Sequence, residues 1–199
     1  MQLPLEKINS ILQRNDAPVL KYLLEGLKRE YITDRIKKID LIFPEELFDL
    51  YSWRNGTKWE KGIKLGSLWF FPGALFFSLE MAIEIYSARI TKDKYWKNKM
   101  FPVFGSGGGE FYLIDLDINS PGYKKIFYYC LNETDFEVIV SYFDSLEAGL
   151  MTILECYNEG AYYLESDDEN DQMLNSHSAI ERKISRRLNP NSEYWTLYE

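Results

Sequence analysis

Near the start of the chain, apolar residues recur at Leu5, Ile8, Ile11 and Leu12, the i, i+3, i+4 spacing of an amphipathic helix. A second stripe, Val19, Leu20, Leu23, Leu24 and Leu27, predicts a helix from about Ala17 to Tyr31 with Pro18 suited to its first turn, so that N-terminal helices fill 4–31. In FPEELFDLYSWRNG, Pro44 opens a third helix. Glu45 and Glu46 favour its positive end, and Leu47, Leu50 and Tyr51 share one side. That helix is expected to stop near Asn55-Gly56, a pair that tolerates positive φ and suits a C-cap or tight turn.

From Lys58 to Phe77 the pattern shortens into aromatic and branched runs broken by glycine and proline, which predicts strands and turns. Ser78 then reads as an N-cap. Glu80 falls in the first turn, and Leu79, Ala82, Ile83, Tyr86 and Ile90 carry a helix that ends before Trp96. Phe101 to Asp117 predicts two strands around GSGGGE, hence a hairpin, and Lys125–Cys130 and Glu137–Val140 add strand material. Helical spacing returns between Tyr142 and Glu159 through Phe143, Leu146, Leu150, Ile153, Leu154 and Tyr157. The acidic stretch SDDENDQ (Ser166–Gln172) reads as a solvated loop before a short helix over about Asn175–Leu188. Helices, clustered strands, then a helix is an α+β order, and the chain reads as one domain over 1–199 without internal repeats.

Composition supports a packed core: 46% of residues are apolar and 16% aromatic, which excludes disorder for most of the length. The net charge of −8 is unevenly spread. Residues 1–125 hold 19 Lys/Arg against 16 Asp/Glu, residues 126–181 hold none against 13, and residues 182–199 hold 4 against 2. A stretch of 56 residues without a basic side chain repels phosphate backbones and attracts cationic partners, so nucleic acid is a poor direct ligand. The opening MQLPLEKINS lacks the apolar core of a secretory signal. The longest apolar run, Leu68–Phe77, contains Pro72 and Gly73 and is about half the span a bilayer requires. Cys130 and Cys156 sit in apolar segments and are too few for a disulfide framework; a cytoplasmic protein with reduced thiols is expected, without a membrane association.

The segment PEELFDLYSWRNG resembles the signature of the SUKH superfamily, which contains Smi/Knr-type fungal cell-wall-assembly regulators and many bacterial toxin-immunity proteins. Three further stretches follow in the family's order: WFFPGALFFSLEMAIE, the hairpin FPVFGSGGGEFYLIDLD, and SYFDSLEAGL near the close. The resemblance spans about 43–159; Glu110 replaces the usual aspartate after the glycine-rich turn, and the 162–199 tail has no counterpart in the minimal family domain. It implies a mixed, mostly antiparallel sheet flanked by helices, no cofactor, and, in bacteria, neutralisation of a cognate toxin by direct binding. It transfers no contact residues.

Candidate chemistry is sparse. Gly105, Gly107 and Gly109 do not fit G-x-G-x-x-G, because position 110 is Glu, and no Gly-Lys-Ser/Thr follows, so a hairpin turn with positive φ is expected instead of a phosphate loop. Asp115 and Asp117 share one strand face, yet two carboxylates do not complete a metal site. The acidic run lacks EF-hand spacing. His177, the single histidine, sits in NSHSA without a nucleophile elbow nearby and reads as a surface residue at a helix start. The chain is therefore expected to be no enzyme, with no catalytic, cofactor or metal residues. A carboxylate-dependent reaction on Glu110, Asp115 and Asp117 is the alternative from that class. Among the tryptophans, Trp53 and Trp69 read as core, whereas Trp59 and Trp195 lie in polar contexts and are candidate partner contacts. With them stand the acidic candidates Glu133, Asp135, Glu137, Glu165, Asp167, Asp168, Glu169 and Asp171, which would steer a cationic toxin domain, often a nuclease. The alternative is a regulator or scaffold that binds endogenous proteins.

Overall fold

The computed structural model describes residues 4–59, 62–91, 96, 99–130, 138–166 and 172–196. The chain opens with α1 (Leu5–Arg14), whose expected stripe of Leu5, Ile8, Ile11 and Leu12 is buried. Next come a 3-10 turn (Pro18–Lys21), β1 (Leu23–Glu25), α2 (Arg29–Ile36), α3 (Glu45–Trp53) and β2 (Arg54–Thr57). The helix expected over 17–31 is thus broken. Its centre pairs as β1 with β2, Lys58 N–H donates to Tyr22 at 2.7 Å, and Leu27 N–H donates to Tyr51 at 2.8 Å. Those long-range backbone bonds override a helical apolar spacing that is only a weak local preference.

The middle of the chain supplies β3 (Trp69–Phe71), β4 (Ala74–Phe76), α4 (Leu79–Ile90), β5 (Met100–Gly105), β6 (Glu110–Asp115), β7 (Ile126–Cys130) and β8 (Val138–Phe143). The strands β3 to β8 form one six-stranded sheet in sequence order. Every neighbouring pair in it is antiparallel, so among the described residues the sheet is wholly antiparallel, not mixed. Successive strand residues point to opposite faces, and helices cover both: on β6, Phe111 and Leu113 face one side, Tyr112 and Ile114 the other, and all four are buried. Aromatic side chains fill much of the interior, with Phe104 in contact with Phe70 at 5.9 Å, Phe71 at 5.4 Å and Phe76 at 5.5 Å between ring centroids.

After the sheet come α5 (Leu146–Asn158), β9 (Tyr162–Ser166), β10 (Gln172–Ser176), α6 (Ser178–Leu188) and the single turn α7 (Glu193–Thr196). Tyr142 and Phe143 belong to β8, so the helix expected from 142 starts only at Leu146, where the Ser145 hydroxyl accepts from Ala148 N–H at 3.0 Å. The tail also carries a hairpin, β9 with β10; residues 172–176 are strand where a loop and helix start are expected. The tail closes on the last strand of the sheet. Glu193 accepts from Ser141 N–H at 2.9 Å, and Ser192 donates to Ser141 C=O at 2.9 Å. Those side chains satisfy backbone groups on an edge that would otherwise invite another strand. Three residues further along, just past the end of β8, Asp144 accepts from the backbone and side chain of Asn191 and donates its own N–H to Asn189 at 3.1 Å.

A compact junction joins α3 to α4. Asn55 is buried; its carbonyl oxygen accepts from Leu79 N–H at 2.9 Å and its amide donates to Glu80 at 3.1 Å. It thereby shares the capping of α4 with Ser78, whose hydroxyl accepts from Met81 N–H at 3.2 Å. Gly56 has φ +73°, and a Cβ there would lie 2.3 Å from Ser78 N and 2.4 Å from Phe77 C. The Asn-Gly pair is therefore no helix C-cap: it lies in β2 and lets two backbones touch. Glu80 also accepts from the Tyr31 hydroxyl at 2.9 Å. Burial alone would raise its carboxyl, but the bonds from Asn55, backbone and Tyr31 outweigh it and hold Glu80 below its usual range.

Asn55→Ala removes both bonds and leaves a buried amide unmet, which costs about 1–3 kcal/mol. Gly56→Ala is expected to be at least as damaging, because left-handed strain of about 1–2 kcal/mol adds to a backbone clash that no side chain can relieve. Urea unfolding midpoints measure both. A Gly56→Ala variant within about 0.5 kcal/mol of the parent, the range of an ordinary surface change, would contradict this account of the junction.

Candidate functional site

Two surface concavities lie on opposite faces of the sheet, and β6 contributes to both: Phe111 to one, Tyr112 to the other. The first is an apolar groove of about 610 Å³ between α4 and the glycine-rich turn, walled by Trp59, Phe77, Met81, Ile85, Ala88 and Phe111. Trp59 remains 50% exposed. It lies over the turn, since a Cβ on Gly107 would come within 3.0 Å of its ring. The turn itself has positive φ at Gly107 and Gly109, and Gly108 N–H donates to the Ser106 hydroxyl at 3.0 Å. The glycines thus serve the hairpin, as their spacing implies, and also leave room for an indole. Glu84 and Arg89 carry charge at the groove, and the Arg89 guanidinium sits 5.4 Å above the Phe111 ring.

The second concavity, about 440 Å³, is formed where the C-terminal segment meets the other sheet face. Its aromatic walls include Tyr112, Tyr128, Tyr142, Tyr194 and Trp195, and its charged groups are Glu110, Glu181 and Arg182. Tyr128 donates to Glu110 at 2.8 Å and Tyr162 donates to Glu181 at 3.0 Å. Burial raises the Tyr112 and Tyr142 phenols and, with the Glu110 hydrogen bond second, that of Tyr128, so all three are neutral at pH 7. Burial also holds the Glu181 carboxyl above its usual 4.5, against hydrogen bonds from Ser176 and Tyr162.

Of the candidate contacts named from the sequence, the three among the described residues, Trp59, Glu165 and Trp195, lie in separate places. Trp59 sits on the groove. Trp195 is buried, so it walls the second pocket and is not a solvent-facing anchor. Glu165 is exposed on β9 and accepts from Asn175. Glu133, Asp135, Glu137, Asp167, Asp168, Glu169 and Asp171 lie outside the described residues. Trp53 and Trp69 are half-buried against the core. His177 is exposed, precedes α6 and stacks on Tyr163 at 4.3 Å.

The three carboxylates of the carboxylate-dependent alternative do not form one cluster, because Glu110 lies away from Asp115 and Asp117. Glu110 and Asp115 close opposite ends of β6, about 16 Å apart at the usual rise per residue. Buried Asp115 accepts from Asp117 N–H at 2.9 Å, and Asp117 pairs with Lys99 at 3.3 Å, so both organise the loop after the strand. Among the described residues no group of three His, Cys, Asp or Glu could hold a metal ion. Cys156 is buried, which pushes its thiol up to about 12, and neither described cysteine is in a disulfide.

The groove and the pocket are surface concavities of an α+β frame, a form suited to binding. The profile of the SMI1 / KNR4 family (SUKH-1) matches residues 26–152, more than half of the chain, and the chain belongs to that family. Membership supports a protein-binding domain. No curated protein matches the chain. Among the described residues no helix is long and apolar enough to cross a membrane.

The tyrosine cluster around Glu110 and Glu181 has no contiguous sequence signature, because its members come from four strands and two helices and meet through strand register and the docking of the tail on β8. Tyr112 opposite Tyr128 is the local signal. Glu181 gives a pH test. Its folded value lies above the unfolded one, so it favours folding fully below about 4.5 and loses that contribution as pH rises through the folded value. Glu181→Gln keeps an acceptor for Tyr162 and has no charge to desolvate. Relative to this variant, the parent is expected to gain stability between pH 7 and pH 4, read from urea titrations at both; a constant difference would contradict the assignment.

Proposed function

We propose that this chain is a cytoplasmic, immunity-type binding protein, not a catalyst, that neutralises a cationic toxin domain, such as a nuclease, by direct contact. The observation that carries the reading is the half-exposed Trp59 on an apolar groove of about 610 Å³. A large, half-exposed indole beside an apolar hollow has the chemistry of an interface hot spot once a partner excludes water from it. The acidic stretch of 126–181, with 13 carboxylates and no basic side chain, supports a cationic partner. Exposed charge of this kind accelerates encounter and selects partners, while buried aromatic contacts set residence time.

The test is capture from the native host with tagged protein, parent and Trp59→Ala, at low and high salt. A single basic toxin-like partner is expected. Its association should slow with salt more than its dissociation quickens, and Trp59→Ala should weaken it about thirtyfold or more, the scale of a hot-spot loss near 2 kcal/mol. An endogenous, salt-indifferent partner would instead establish the regulator or scaffold reading, and undiminished binding by Trp59→Ala would remove the groove from the interface.

A further inference from the structure

The pocket on the opposite sheet face has a chemistry unlike the groove's. Its aromatic wall is continuous, with centroid separations of 4.9 Å for Tyr112–Tyr142, 5.6 Å for Tyr128–Tyr194 and 4.9 Å for Tyr142–Trp195. Neutral aromatic faces carry partial negative charge and attract cations. Glu110, from the start of β6, and Glu181, from α6, add formal negative charge. Glu110 accepts from the Tyr128 hydroxyl and Glu181 from the Tyr162 and Ser176 hydroxyls, and an ionised carboxylate has about four lone-pair sites, so both retain acceptor capacity. Against them stands one cation, Arg182, leaving the lining at −1 when all three groups are ionised. A desolvated carboxylate beside aromatic faces lacks its full complement of water and gains most from a cation that can replace it.

We propose that this pocket binds an organic cation, an alkylammonium or guanidinium group the size of the end of a lysine or arginine side chain. The aromatic faces of Tyr128, Tyr142 and Tyr194 hold its hydrocarbon shoulders, and Glu110 and Glu181 take its N–H groups. Glu181, Arg182, Tyr194 and Trp195 lie outside residues 26–152, so the pocket is completed by the part of this chain that the family profile does not cover. The assignment does not rest on the toxin-binding reading, and either can fail alone.

The experiment titrates the purified full chain with N-acetyl-arginine amide, N-acetyl-lysine amide, agmatine and cadaverine, with N-acetyl-norleucine amide as the uncharged control, following amide and indole NMR shifts. Saturable binding by cations and none by the control is expected, at dissociation constants on the order of 1 mM or tighter. Glu110→Gln, which keeps an acceptor for Tyr128, should weaken binding about tenfold, and Arg182→Gln, which removes a like charge, should strengthen it several-fold. Opposite signs from two neutralising changes are an effect that loss of structure does not produce. Capped amides binding at least as tightly as the free amines would mark a partner's side chain as the source; free amines alone would mark a small molecule. No saturation by any cation, equal binding by the norleucine amide, or weakening by Arg182→Gln would overturn the proposal.

Discussion

At Gly56 two stretches of backbone meet so closely that a single methyl group would strike both Phe77 and Ser78. Much of the arrangement on that side of the sheet follows from this contact. It fixes where α3 and β2 end relative to β4, and Asn55 beside it supplies hydrogen bonds to the first turn of α4. With α4 anchored there, Met81, Ile85 and Ala88 line up along the glycine-rich turn of the β5–β6 hairpin, and Trp59 lies across the turn. The groove is thus a by-product of how a helix start is held, and its position is set by that junction.

The antiparallel meander produces the second concavity by a different route. Alternation along β6 sends Phe111 towards α4 and Tyr112 towards the tail. Tail residues 189–193 clamp the β8 edge through Ser141 and Asp144, which brings Tyr194 and Trp195 against Tyr142. One face therefore presents an apolar hollow with a tryptophan, the other a polar hollow with tyrosines and carboxylates. Unlike surfaces on one frame can serve unlike ligands.

Elements whose local signals agree with their tertiary roles are legible in the sequence. The stripe of α1, the Ser78 cap, the β5–β6 hairpin and the α+β class all belong here, because burial and local preference point the same way. The stretch 17–31 misleads, since a leucine spacing suited to helix also suits a turn and a short strand, and the pairing of β1 with β2 is invisible locally. The tail hairpin is hidden because its two short strands, YYLES and QMLNS, flank an acidic run that reads as a loop. The charged neighbours of Trp59 mark it as a surface residue, but its groove leaves no local trace, as the other walls come from α4 and β6. Trp195 has the same polar sequence context and is buried, so context alone cannot separate an exposed indole from a docked one.

The central claim is that the face formed by α4, the glycine-rich turn and Trp59 is where a protein partner binds. Amide hydrogen exchange on the chain, alone and with its captured partner, tests this most directly. Protection on partner binding is predicted to concentrate in residues 77–89 and 105–111, beside Trp59. Protection confined to α1 and α5, with those segments unchanged, would contradict the claim.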